Sequence, residues 1–105
     1  MKKQKVIGIL GGMGPYATVD IFEKVIRATP AKRDQDHIHI IIDNNPKIPS
    51  RRTAILYGTE DPTPIMIETA KNLERAGADF IILPCNTAHY FVPEIQKIYL
   101  FRLLV

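Results

Sequence analysis

Three short apolar runs rich in β-branched residues, at positions 6–10, 38–42 and 80–83, alternate with longer stretches of helical spacing. That alternation limits the fold more than any other feature of the chain. Strands joined through helices run parallel, because an antiparallel neighbour would need only a hairpin. The expected architecture is an α/β fold: a three-layer parallel sheet with β-α-β-α-β-α order. The run at 6–10 is closed by Gly11 and Gly12, the pattern of a strand buried on both faces. Residues 17–29 read as a helix with Pro15 near its first turn and a buried stripe of Ile21, Phe22, Val25 and Ile26. Thr63 is placed as N-cap of the next helix with Pro64 at its first position. Met66, Thr69, Ala70, Leu73 and Ala76 mark the inner face, and Gly77 supplies the stop. A final helical stretch follows Pro84-Cys85-Asn86-Thr87 and restarts at Pro93.

A chain of 105 residues suits one small domain. Fourteen Lys and Arg against eleven Asp and Glu leave +3, too small and too evenly spread an excess to predict nucleic-acid binding. A hydrophobic content of 46% excludes global disorder. One cysteine cannot form an intrachain disulfide, which favours a reducing compartment. The basic opening Met1-Lys2-Lys3-Gln4-Lys5 resembles the start of an export signal. The apolar run behind it is too short for a signal core or a spanning helix, so a soluble cytoplasmic protein without a membrane partner is expected. Residues 1–97 form the expected lobe. Residues 98–105 stand apart as an atypical apolar tail, broken by Arg102.

In a parallel sheet every strand-to-helix loop emerges at the carboxyl edge, where ligands bind. The loops at 11–15, 44–52 and 84–87 therefore converge, bringing together the glycine cluster, the Arg51-Arg52 pair and Cys85. The glycine loop has several readings. Residues 12–17 fit the loose dinucleotide pattern G-x-G-x-x-A, with Asp43 where a ribose-binding acid would sit. The same glycines serve a bare tight turn, or a loop offering N–H groups to a small anion. Cys85 reads either as a small buried hydrophobe or as a reactive thiol. At a helix start capped by Asn86 or Thr87, the helix dipole favours its thiolate form. His89, one turn on, either assists the thiol or hydrogen-bonds its neighbours. Neighbouring residues of an extended loop point apart, so one of Arg51 and Arg52 faces the site and can grip a carboxylate with paired hydrogen bonds. Asn86 and Thr87 can hold a second carboxylate. A thiolate between two anion sites suits chemistry at the α-carbon of a dicarboxylic amino acid. His37, His39 and His89 lack paired ligand spacing, so no metal site is expected, and His37 and His39 are placed on the more exposed sheet face.

Gly8-Ile9-Leu10-Gly11-Gly12-Met13-Gly14-Pro15, Asn44-Asn45-Pro46, Ile48-Pro49 with Arg51, and Pro84-Cys85-Asn86-Thr87-Ala88-His89 together resemble the aspartate/glutamate racemase family, closest to its aspartate racemase branch. The resemblance covers roughly residues 6 to 97. It implies one lobe of a two-lobe racemase-like fold and cofactor-independent racemisation of aspartate or glutamate. Cys85 would then be the thiol that removes the α-proton, Asn86 and Thr87 would bind the α-carboxylate, and Met13 would line the site. Arg51 would read the side-chain carboxylate, with Arg52 as a register alternative. Family members place a second cysteine on a second lobe, and this chain carries one cysteine. The resemblance thus implies a missing lobe or a self-paired dimer, weak racemisation by this chain alone, and a premature or frame-shifted ending at the tail. The alternative function is a small nucleotide- or phosphate-binding Rossmann-like module.

Overall fold

The first strand, β1 (Ile7–Gly11), is buried along nearly its whole length and has a parallel neighbour on each side. In the computed structural model, which describes residues 4–99 and 103–104, helix α1 (Pro15–Ala28) follows, then β2 (Ile40–Asn44), α2 (Arg51–Tyr57), α3 (Thr63–Arg75), β3 (Phe80–Ile82), α4 (Val92–Ile98) and β4 (Leu103–Leu104). Short 3-10 turns occupy Asp34–Asp36 and Thr87–Phe91. All strand pairs are parallel, in the order β2-β1-β3-β4, with Ile7 opposite both Ile40 and Phe80. The parallel α/β expectation holds, with one helix and one strand beyond it.

Successive strand residues face opposite sides of the sheet, so β1 itself shows where the layers lie. A Cβ on Gly8 would meet Ala78, Ile81 and Leu73, whereas one on Gly11 would meet Thr18 of α1. Positions 8 and 11 differ by an odd number, so α1 and α3 cover opposite faces. Leu10 shares the face of Gly8 and packs with Met66, Ala70, Leu73, Ile81 and Ile95, each essentially inaccessible. Ile9 points to the α1 side and is also fully buried.

The α3 face is closed and the α1 face is thin. Phe22 and Ile26 of the expected stripe stay 37% and 42% exposed, while Ile21 and Val25 are half-buried. The stripe predicted as buried is therefore only partly so. A single helix crosses this face, and it leaves the edge strand β2 and Ile42 uncovered.

Local chemistry accounts for the other shifts. Strand β2 starts two residues later than predicted. His39 lies exposed just outside it, its carbonyl accepting from Ile7 N–H at 3.1 Å, and His37 is half-buried in the groove beside α1 rather than on an open face. Arg51 and Arg52 begin a helix instead of lying in an extended loop. Ser50 is its N-cap, accepting from Thr53 N–H at 3.3 Å, and Gly58 ends it in the left-handed region at φ 64°. Thr63 is already helical, and the Asp61 carboxylate takes its N–H at 2.9 Å, so Asp61 does the work predicted for Thr63. Ala76 is exposed because the chain leaves the helix there toward Gly77, whose φ is 110°. Pro93 falls in the first turn of α4, as predicted. Of the tail, Ile98 closes α4 and Leu103–Leu104 pair with Ile81 and Ile82 of β3. Tail residues 100–102 and 105, and the opening Met1-Lys2-Lys3, lie outside the described residues.

Gly12 joins β1 to the rest of the carboxyl edge. Its φ of 99° belongs to glycine, and a Cβ there would stand 2.3 Å from the Asn45 carbonyl carbon. Gly12→Ala should cost about 2–4 kcal/mol through backbone strain and overpacking. Urea unfolding checks this, and a loss under about 1 kcal/mol would mean that the loop rearranges freely. A second expectation concerns Tyr99, which is buried and whose hydroxyl donates to the Glu74 carboxylate. Burial first, then this bond and the negative charge, raise its phenol well above the ordinary 10.0. The neutral phenol is thus favoured in the folded state, so its contribution is fully present below about pH 10 and fades as pH rises through the elevated folded value. Tyr99→Phe should lose about 1 kcal/mol at neutral pH and lack that alkaline decline, as read from unfolding curves across pH.

Candidate active site

The first two carboxyl-edge loops are locked to each other. Gly12 N–H donates to the Thr18 hydroxyl at 2.9 Å in a buried bond, and Asn45 N–H donates to the Gly11 carbonyl at 3.0 Å. Asn45 also reaches across to α3, its Nδ2 donating to Thr69 Oγ1 at 3.1 Å, while its Oδ1 accepts from Lys47 N–H at 3.0 Å. Through its backbone N–H and its side-chain amide together, Asn45 therefore ties the loop after β2 and α3 to the glycine turn. Gly11 and Gly12 are explained by close packing against Thr18 and Asn45 respectively. With its N–H committed to Thr18, Gly12 has no donor left for a phosphate. The tight-turn reading accounts for the loop, and the nucleotide reading is not favoured.

The third loop carries the thiol. After β3, Cys85 N–H donates to the Leu83 carbonyl at 2.9 Å, and Cys85 Sγ lies 3.4 Å from Thr87 Oγ1. The following segment is a five-residue 3-10 turn, with neither Asn86 nor Thr87 capping it through a side chain. Asn86 is already helical at φ −61° and ψ −45°, whereas a side-chain cap requires an extended residue. The Thr87 hydroxyl is turned to the thiol instead. His89 Nε2 meets the Leu83 carbonyl at 2.8 Å, so of its two predicted behaviours it shows the bond to a neighbour.

Met13, Ala17, Leu83, Pro84, Cys85, Asn86 and Thr87 line an open recess of about 390 Å³. Four of the residues singled out from the sequence, Met13, Cys85, Asn86 and Thr87, thus line the same recess. Cys85 is half-buried: it packs against the core and also lines the recess, so it is not a fully buried small hydrophobe. Arg51 is not among the lining residues. Its Nη1 donates to the carbonyls of Ile48 and Pro49 at 3.2 and 3.1 Å, and its Nε is buried without a partner. Arg52 is exposed on α2. Thr18 and Asn45 escaped the sequence reading as organisers of the site. The signal for Thr18 was a polar residue one turn into α1, on the side facing the double glycine. Among the described residues, no helix is long and apolar enough to cross a membrane.

Comparison with known proteins bears on the family and the fold. The family model for Asp/Glu/hydantoin racemases matches residues 10–100. The chain is 38% identical over 96 residues to the broad specificity amino-acid racemase RacX of Bacillus subtilis (strain 168), covering 88% of this chain and 41% of that protein. The aspartate racemase of Picrophilus torridus is 41% identical and superposes with a TM-score of 0.87, over 95% of this chain and 42% of that one. An aspartate racemase homologue from Pyrococcus horikoshii is 28% identical with a TM-score of 0.76, over 96% and 44%. The chain therefore spans less than half the length of these relatives. By the family match and by the fold, this chain belongs to the Asp/Glu/hydantoin racemase family.

Proposed function

We propose that this chain is the proton-abstracting half of an amino-acid racemase that works without pyridoxal phosphate, with aspartate as the first substrate to test and glutamate as the second. The observation that supports this reading is the placing of Cys85 and Thr87 together on the wall of an open recess, opposite the glycine turn at Met13. The Cys85 thiolate takes the α-proton, the C–H electron pair stays on the α-carbon, and the sulfur becomes a thiol. The resulting planar carbanion is stabilised by fixed donors on the recess wall. Asn86 and Thr87 hold the α-carboxylate through their side chains and the first amides of the 3-10 turn.

Arg51 is assigned the side-chain carboxylate. To reach it, the guanidinium leaves the Ile48 and Pro49 carbonyls and exchanges two neutral acceptors for a charged, two-pronged one. The cytoplasm, being reducing, keeps the single cysteine as a thiol.

A thiol on one wall reaches one face of the carbanion. Full racemisation needs a second acid on the opposite face, from a second lobe or a second copy. This chain alone therefore exchanges the α-hydrogen of one aspartate enantiomer with solvent and inverts it poorly. Incubation of each enantiomer in heavy water, followed by mass analysis, should show deuterium entering one of them. Cys85→Ala should slow this by about 10²–10⁴-fold, the usual worth of a positioned base. Thr87→Val should raise the KM by about tenfold or more through a lost hydrogen bond to a carboxylate. Undiminished exchange in Cys85→Ala would remove this residue from the chemistry.

A further inference from the structure

His89 touches no group assigned to substrate, yet it holds the loop that carries Cys85, Asn86 and Thr87. We propose that His89 is a positioning residue: its ring clamps the Leu83 carbonyl and so fixes where residues 85 and 87 face the recess. A carbonyl only accepts, so the nitrogen 2.8 Å away is Nε2–H. The same carbonyl takes Cys85 N–H at 2.9 Å, and the two donors fill its two lone pairs. Pro84, between them, has no N–H to offer. His89 N–H in turn donates to the Asn86 carbonyl at 3.2 Å, and its neighbour Ala88 is fully buried. Ring and backbone of one residue therefore brace the loop at its start and its middle, against an anchor sunk in the core. Nε2–H is bonded to the carbonyl, and the bonding partner of Sγ is the Thr87 hydroxyl, so the bonds of the ring reach the thiol through the loop.

The catalytic consequence rests on the reading of Cys85 as the base, and the test separates the two. His89→Gln keeps an N–H at the Nε2 position, His89→Asn places its amide one atom short, and His89→Leu fills space without a donor. Amide hydrogen exchange is followed by mass spectrometry over residues 83–89, alongside α-deuteration of aspartate by the same chains. The expected result is loop exchange about tenfold faster in the Leu and Asn variants, the scale of one lost hydrogen bond. α-Deuteration should fall by about 10–100-fold in both, as for a misplaced reacting group, and recover in Gln. The Gln and Asn pair carries the comparison if His89→Leu fails to fold. Wild-type loop protection in the Leu variant, or Asn performing as well as Gln, would reduce His89 to packing and overturn the proposal. So would faster loop exchange with deuteration intact. If no chain, wild type included, deuterates aspartate while loop protection still follows the donor, the clamp stands and the assignment of Cys85 fails.

Discussion

Backbone runs unusually close to its neighbours on both sides of β1, and the site depends on that closeness. At Gly8 an added Cβ would stand 2.9 Å from the Ala78 Cβ. At Gly11 it would stand 2.4 Å from Thr18 Oγ1 on the opposite face. The central strand can therefore sit near both helical layers at once, and the turn after it can press on the Asn45 backbone. Positions in the recess follow from these contacts. Met13 is carried by the turn that Thr18 and Asn45 hold, and the thiol loop leaves the strand paired directly beside β1. A side chain at Gly11 or Gly12 would push apart the contacts to Thr18 and Asn45 that hold the glycine turn beside the recess.

Much of this was legible in the sequence because it rests on local rules. The parallel sheet followed from strands separated by helices, and the shared edge of the three loops followed from the sheet. Glycine at position 77 marked a helix end through its positive φ. What the sequence did not reveal depends on contacts between distant residues, or on competition between equivalent local choices. Helix α2 was hidden by Pro46 and Pro49, which make residues 44–52 read as open loop, although Ser50 and Gly58 carried its cap and stop. The α1 stripe had the right period but gave no indication of how much sheet would lie beneath it. Helical spacing reports which residues share a face, and coverage depends on what else packs there.

The two faces of the sheet differ in a way that bears on the site. On the α3 side, Leu10, Met66, Ala70, Leu73, Ile81 and Ile95 form one continuous apolar mass that fixes β1 and β3 against the helices. On the α1 side, Ile9 is buried but Phe22, Ile26 and Ile42 meet solvent. Rigidity therefore reaches the recess chiefly from the α3 side, through β3 and Ala88. The α1 side contributes through one strong link, the buried bond from Gly12 N–H to the Thr18 hydroxyl. Both walls of the recess are thus backed by the same core, which takes in Met13 as well as Leu83 and Ala88, and the glycine wall has the hydrogen bond to Thr18 besides.

The thiol loop and Arg51 are held in different ways, and the difference suits the chemistry proposed for each. A base that removes a carbon-bound proton gains from being held still, because small misplacements cost large factors in rate. The thiol loop is held by two donors on one carbonyl and by a buried alanine. A side-chain carboxylate, by contrast, can be met by a group that moves. Arg51 is stored against the Ile48 and Pro49 carbonyls, and its buried Nε lacks a partner. An unpaired buried donor lowers the cost of leaving that resting place, since little is lost at Nε when the guanidinium turns to a carboxylate. In the proposed function the fixed loop supplies the reacting atom, while the adjustable arginine sets which side chain is accepted. The proposed function thereby puts specificity and proton transfer on different elements of the same sheet edge, the start of α2 and the loop after β3.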